Sequence, residues 1–238
     1  MFKDTNLIEF FKDIVVPPVC PVCGNISPEL ICPACKSKIE KIDGDVCKYC
    51  GRPISDYKKS WTIADADKYT HDICSSCRKE KFSFYMHRSF AFYKGAVRKI
   101  MHKYKYGKMY GLSKVLVGFL KQAYDKYYRK EEIDYVEAVP GEHMQILCSE
   151  FSRVIKIPFA GNIIKIKKTP RQQTLDLYQR KNNLKEAFKV RNSLLASGKN
   201  ILLIDDIWTT GSTLNEISKV LKNSNADKIY LLTIAGGT

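Results

Sequence analysis

Hydrophobic positions in the second two thirds of the chain predict strands alternating with amphipathic helices. Residues 83–93 alternate aromatic and polar side chains as a strand does. Apolar residues then recur at helical spacing in two stretches, 96–104 and 112–123. The pattern continues with strand 135–139, helix 144–155, strands 163–166, 187–190 and 200–204, helix 212–221 and strand 228–234. Near-continuous apolar strands between helices indicate an α/β fold whose parallel sheet is covered by helices on both faces.

The segment ILLIDDIWTTGSTL, residues 201–214, lies where such a sheet binds its ligands, at the carboxyl ends of the strands. The apolar run predicts a buried strand, and Asp205 and Asp206 come where that strand emerges. A loop of small residues then turns into the next helix; it consists of Thr209, Thr210, Gly211, Ser212 and Thr213. The segment therefore places two adjacent carboxylates beside a hydroxyl-rich helix N-terminus.

Each half of this segment suits a different part of a sugar phosphate. The free amides and positive dipole end of the helix, with the loop hydroxyls, favour a phosphate monoester. The two carboxylates can accept hydrogen bonds from two vicinal hydroxyls or face a bound Mg²⁺. A helix cap formed by Thr209 or Thr210 explains the threonines but not the paired acids. Because no Gly-Lys-Ser/Thr follows, a nucleoside triphosphate loop is not expected.

Eight of the nine cysteines form four Cys-x-x-Cys pairs before residue 78. They are Cys20, Cys23, Cys32, Cys35, Cys47, Cys50, Cys74 and Cys77. In a reducing compartment, thiolates at this spacing are the usual ligands of tetrahedral Zn²⁺. Sequential grouping into two sets of four is favoured over interleaved grouping, because shorter loops lose less entropy on closure. Four ligands leave no position for substrate, so both zinc ions are expected to be structural.

The sequence pattern changes after Cys77, which predicts a zinc-binding domain over residues 1–82 and the α/β domain over residues 83–238. His71, in the polar stretch of the first domain, is interpreted as a surface histidine rather than a ligand. No apolar run approaches the ~18 residues that cross a membrane. The first nineteen residues mix charged and apolar side chains, unlike a secretory signal, so a cytoplasmic protein is expected.

The formal charge of +15 favours polyanions as partners, although a solvated Lys-rich surface has the same composition. Residues 94–130 contain eleven Lys or Arg against one acid, Asp125. Within them, KYKYGK at 103–108 interleaves cations with aromatic rings, which suits the phosphates and stacked bases of single-stranded DNA. A basic solvated face whose tyrosines cover the edge of the core fits equally well. Cys148 is interpreted as a small buried apolar residue.

At residues 201–214 the sequence resembles the type I phosphoribosyltransferases, whose fingerprint is four apolar residues, two acids, one apolar residue and a threonine-rich loop. The resemblance implies that Asp205 and Asp206 hold the ribose 2′- and 3′-hydroxyls of phosphoribosyl pyrophosphate, with Mg²⁺ as the accompanying ion. It also implies that residues 209–213 hold the 5′-phosphate.

More narrowly, the chain is similar to the ComF family of competence-associated proteins, which join zinc knuckles to such a domain. The similarity includes the Lys105-Tyr-Gly turn and the run TPRQ at 169–172, which continues to Phe188. In type I enzymes this run belongs to, or borders, the mobile hood over the active site. The resemblance therefore implies hood or nucleic-acid contacts, which are Lys105, Arg171, Gln172 and Arg180.

Residues 139–145, VPGEHMQ, depart from the family pattern, which continues with a second Val-Pro and a long arginine-rich loop. In the related enzymes that loop adjoins the pyrophosphate. With Glu142 where cations are expected, the leaving pyrophosphate loses charge stabilisation. We therefore expect a phosphoribosyl site to survive but leave turnover open, and the sequence assigns no catalytic residue.

Three functions follow from these expectations. The first is a competence protein that handles single-stranded DNA in the cytoplasm during natural transformation, beside other proteins of the uptake machinery. The second is an active phosphoribosyltransferase acting on a nucleobase or an amine. The third is a regulator that senses the metabolite, against which the lack of a visible helix-turn-helix pattern argues.

Overall fold

The computed structural model describes residues 19–54, 72–167, 184 and 186–237. Its helices are α1 (Pro33–Lys36), α2 (Ser75–Lys79), α3 (Gly95–Lys105), α4 (Ser113–Tyr127), α5 (Glu142–Ile155) and α6 (Ser212–Asn223). Its strands are β1 (Met86–Phe92), β2 (Tyr135–Ala138), β3 (Ile163–Lys165), β4 (Phe188–Val190), β5 (Ile201–Ile207) and β6 (Ile229–Gly236). Two short 3-10 helices occur at Tyr110–Leu112 and Ser193–Leu195. Every strand and helix predicted after residue 83 is present, with ends shifted by a few residues.

Four strands form one parallel sheet in the order β1-β6-β5-β2. Side chains of β5 alternate between two cores: Leu202 and Ile204 join the core beneath α3, α4 and α5, whereas Ile201 and Leu203 join the core beneath α6. All eight residues of β6 are buried, as a central parallel strand covered on both faces requires. The predicted α/β architecture, a parallel sheet with helices on both faces, is confirmed.

Two details differ from the sequence-based expectation. Asp205 and Asp206 lie inside β5 rather than beyond it, because β6 is long enough to keep pairing with β5 as far as Ile207. Their side chains therefore point to opposite faces of the sheet. In addition, β3 and β4 do not join the parallel sheet but form a separate antiparallel pair.

The cysteine-rich segments pack directly against the sheet. Ile42 N donates to Phe90 O at 3.0 Å, and Phe92 N donates to Glu40 O at 3.0 Å, so residues 40–42 cover the free edge of β1. The first cysteine set contributes to the α3–α5 core and the second set to the α6 core. We retain the division into residues 1–82 and 83–238 as a proposal, with the two parts sharing these cores. Within the described ranges, no helix is long and apolar enough to cross a membrane.

Candidate functional site

The structure gathers the eight paired cysteines into two clusters in the sequential order. The first cluster is Cys20, Cys23, Cys32 and Cys35, and the second cluster is Cys47, Cys50, Cys74 and Cys77. Within each cluster all four sulfur atoms lie within 4.8 Å of one another. Each cluster therefore consists of two Cys-x-x-Cys pairs that follow one another in the sequence.

Both clusters fit a tetrahedral zinc ion. Zn–S bonds of about 2.3 Å in a tetrahedron place neighbouring sulfurs about 3.8 Å apart. The Sγ atoms of Cys23 and Cys32 are 3.7 Å apart, as are those of Cys50 and Cys74. Backbone amides also donate to the sulfurs, with Cys74 N 3.3 Å from Cys47 Sγ in the second cluster. Because each set is complete with four thiolates, zinc there would be structural.

The acid pair of β5 is met by two potentially cationic side chains from neighbouring helices. Lys105, at the last position of α3, forms an ion pair with Asp206, whose side chain is only 13% exposed. His143, in the first turn of α5, places Nε2 3.6 Å from Asp206 Oδ2. The Tyr104 hydroxyl donates to His143 O at 2.6 Å and so ties α3 to the start of α5. Asp206 is therefore held by both helices.

The pKa values of the two carboxyls in the pair are shifted in opposite directions. Burial by itself would raise the pKa of Asp206, but the hydrogen bond from His143 and the charge of Lys105 lower it to about 2. For Asp205, burial and then the negative charge of Asp206 raise the pKa well above its usual range. Lys105 and His143 thus favour the charged form of Asp206, whereas burial and the charge of Asp206 disfavour a second negative charge on Asp205.

The loop that follows the pair is shaped around Gly211. This glycine precedes α6 with φ +73°, a left-handed conformation that residues with a Cβ rarely adopt. A Cβ placed there would lie 2.2 Å from Cη2 of Trp208, so the loop backbone rests on the indole ring. Thr210 Oγ1 lies 2.8 Å from Ser212 Oγ and accepts from Ser212 N at 3.3 Å. The hydroxyls of Thr210 and Ser212 therefore meet at the N-terminus of α6, where the sequence predicts an anion site.

A pocket of about 530 Å³ opens beside this loop. Its lining includes Thr210, Gly211 and Ser212 from the loop, Phe82 before β1, and Lys219 on α6. Asp205 and Asp206 are not among the lining residues. Although the loop follows the acid pair directly in the sequence, only the loop lines this pocket.

The basic segment after β1 combines both interpretations that the sequence left open. Tyr104 is buried in the core, whereas Tyr106 is 50% exposed next to the exposed Lys103 and Lys108. Lys105 turns inward to Asp206. Thus one tyrosine covers the core, and the other lies half exposed on a basic surface with its ring centroid 4.9 Å from that of His102.

Five further residues were singled out from the sequence. Arg171, Gln172, Arg180 and His71 lie outside the described residues. Cys148 is fully buried, and burial raises the pKa of its thiol well above the usual value, so its interpretation as a small apolar residue holds.

Sequence reasoning missed three residues of this region: His143, His87 and Trp208. His143 belongs to the segment whose departure from the family pattern suggested a loss of cations. It nonetheless brings an imidazole to the acid pair, next to the exposed Glu142. His87 lies on β1, 121 positions before Trp208 in the chain (208 − 87), yet the two rings stack at 4.0 Å. No local pattern marks such a contact.

Two family models match the chain. A double zinc ribbon domain matches residues 11–78, and a phosphoribosyl transferase domain matches residues 144–237. Each match contains features described above, namely the cysteine clusters in the first and the acid pair with its loop in the second.

Two curated relatives and one solved structure illustrate the similarity. Competence protein F of Haemophilus influenzae is 27% identical over 224 residues, covering 86% of this chain and 96% of the relative. Competence protein ComFC of Bacillus subtilis is 24% identical over 216 residues, covering 81% and 78%. Adenine phosphoribosyltransferase of Saccharomyces cerevisiae is 16% identical with a TM-score of 0.37, covering 52% of this chain and 69% of that one.

Proposed function

We propose that this chain, which is similar over most of its length to competence proteins and matches a double zinc ribbon and a phosphoribosyl transferase domain, handles single-stranded DNA during DNA uptake. We further propose that it does so in the cytoplasm, beside other proteins of the uptake machinery, and that it binds phosphoribosyl pyrophosphate with Mg²⁺. The names of the relatives support the competence role. The acid pair and its loop support binding of a sugar phosphate, and the basic surface of α3 supports binding of DNA.

The observation that carries the sugar-phosphate proposal is the acid pair at the end of β5, followed directly by the loop at the N-terminus of α6. Asp206 is ionised and can accept hydrogen bonds from a ribose hydroxyl or face Mg²⁺. The hydroxyls of Thr210 and Ser212 meet at the amide end of a helix of twelve residues, where a phosphate is stabilised by the dipole. Only a ligand with both vicinal hydroxyls and a phosphate uses both features.

The DNA proposal rests on the surface of α3 and the turn after it. Arg98, Lys103 and Lys108 are exposed there, and Tyr106, which lies between Lys103 and Lys108 in the sequence, is 50% exposed. Cations attract the phosphates of a single strand, and an exposed ring provides a stacking platform for a base. The same helix ends at Lys105, which contacts Asp206. A strand on this surface would therefore lie next to the sugar-phosphate site, so that each ligand can influence the other.

A second function, an active phosphoribosyltransferase, is favoured by Lys105 and His143. Both side chains lie at the acid pair, where Lys105 supplies positive charge and His143 places a ring nitrogen near the sugar, although the arginine-rich loop of the family is absent. Charge of this kind stabilises a departing pyrophosphate. Release of pyrophosphate from phosphoribosyl pyrophosphate, with a nucleobase or an amine as acceptor, would show this activity, and binding without release would exclude it.

Calorimetric titration with phosphoribosyl pyrophosphate and Mg²⁺ tests the ligand site. The double variant Asp205→Asn, Asp206→Asn keeps the size of both side chains but removes the charges, so it should weaken binding by at least tenfold. Asp125→Asn is the matched control, because Asp125 forms an ion pair with Lys121 on the outer surface of α4. Unchanged affinity in the double variant would eliminate this site.

A further inference from the structure

The two cysteine clusters have different relations to the ligand loop. The first cluster packs into the core beneath α3, α4 and α5. The second cluster packs into the other core, which also contains Trp208 beneath the loop and Leu214 in the first turn of α6. Only the second cluster therefore shares a packed core with the loop.

A direct chain of contacts joins the second cluster to the loop. His87 Nδ1 lies 2.7 Å from Cys50 O, and since a carbonyl can only accept, the ring donates this hydrogen bond. Nε2 of the same ring lies 3.0 Å from Thr233 Oγ1 on β6. The His87 ring stacks on Trp208 with centroids 4.0 Å apart and planes 18° apart. Trp208 in turn touches the backbone of Gly211, at the apex of the loop.

Each contact in this chain is constrained. His87 is 1% exposed, so both of its ring nitrogens need the hydrogen-bond partners that Cys50 O and Thr233 Oγ1 provide. On a second side, Phe84 packs against Trp208 in a T-shaped arrangement, with 5.8 Å between the ring centroids. Its backbone is fixed by the hydrogen bond from Trp208 N to Ala235 O at 2.8 Å. The indole ring has little freedom to move unless His87 moves.

We propose that His87 and Trp208 are positioning residues that make the shape of the ligand loop depend on the metal at the second cluster and not on the metal at the first. Zinc fixes the Cys47–Cys50 knuckle and hence the carbonyl of Cys50. That carbonyl orients His87, His87 orients the indole, and the indole sets the position of Gly211. The consequence for ligand affinity rests on the proposed sugar-phosphate site, whereas the consequence for Trp208 does not.

The chain offers a spectroscopic reporter for this coupling. Its two tryptophans are Trp61 and Trp208, so the variant Trp61→Phe leaves Trp208 as the single emitter. In this parent, Cys74→Ser should lower the zinc content by one ion, shift Trp208 emission to the red and weaken phosphoribosyl pyrophosphate binding by roughly fivefold, the equivalent of one lost hydrogen bond. Cys23→Ser, in the first cluster, should also lose one zinc ion but leave the emission of Trp208 unchanged.

A second pair of variants tests the link without disturbing either metal. His87→Phe keeps an aromatic ring for stacking but removes the donor to Cys50 O, so it should retain two zinc ions and still shift the emission and weaken binding. Its matched control is Lys99→Ala, because Lys99 Nζ donates to Val22 O in a knuckle of the first cluster at 3.2 Å. This control should match the parent in both readouts.

Equal emission and equal affinity in His87→Phe and the parent would overturn the proposal, even if Cys74→Ser does not fold. So would equal changes in Cys74→Ser and Cys23→Ser. If the parent itself does not bind phosphoribosyl pyrophosphate, the proposed ligand is wrong, and the emission of Trp208 still decides whether the second cluster controls the loop.

Discussion

Substituting Gly211 by alanine should destabilise the protein through two separable effects. The first is the left-handed backbone, which costs about 1–2 kcal/mol for a residue with a Cβ. The second is the collision with Trp208, whose Cη2 lies 2.2 Å from the new Cβ. Trp208 cannot turn away easily, because His87 stacks on one side and Phe84 abuts its edge. Overpacking of this kind costs about 1–3 kcal/mol, so the total is roughly 2–5 kcal/mol.

Gly198→Ala is the matched control. Gly198 also has a left-handed conformation, with φ +67°, but a Cβ added there would have no atom within 4 Å, so only the backbone cost of about 1–2 kcal/mol applies. Urea unfolding of both variants measures the difference. In a double-mutant cycle, Gly211→Ala should cost less in a Trp208→Leu background than in the parent, because the smaller side chain leaves room for the Cβ. If Gly211→Ala and Gly198→Ala are equally destabilised, the indole does not support the loop as described.

Three further predictions concern the metals and the buried acids. Replacing one cysteine of either cluster with serine should lower the zinc content measured by mass spectrometry from two ions per chain to one. Burial raises the pKa of Glu137 from 4.5 to about 7, so the unfolded chain ionises first and the free energy of unfolding should fall by roughly 3 kcal/mol as pH rises from 4.5 to above 7. Urea unfolding of Glu137→Gln should show a flatter pH dependence. Lys105→Met should raise the pKa of Asp206, seen by carbon NMR of the carboxyl, whereas the exposed Lys103→Met should not.

The elements of the α/β domain could be predicted because their patterns are local. Each strand of the sheet is a short apolar run, and each helix presents apolar residues at helical spacing on the side that faces the sheet. The Cys-x-x-Cys spacing similarly defines each knuckle, and loop entropy favours the sequential grouping that the structure has. The acid pair and its loop are one continuous segment, so their proximity needs no knowledge of the fold.

The missed features depend on contacts between distant segments. His143 reaches Asp206 only because α5 begins beside the end of β5, and its sequence neighbours suggested an eroded loop instead. The stacking of His87 on Trp208 requires β6 to lie between β1 and β5, an order that periodicity does not reveal. The continuation of β5 through Asp205 and Asp206 likewise depends on the length of its partner, β6.

Coupling between the sugar-phosphate site and nucleic acid can be measured in a single binding experiment. Fluorescence anisotropy of labelled single-stranded DNA would be recorded at about 50 mM and about 200 mM salt, with and without phosphoribosyl pyrophosphate and Mg²⁺, because salt dependence reports phosphate contacts. We predict binding at low salt that weakens at high salt, and an affinity for DNA that changes when the sugar phosphate is present. The absence of DNA binding at low salt would contradict the proposed DNA-handling function. A DNA affinity that stays unchanged while calorimetry shows the sugar phosphate bound would contradict the coupling.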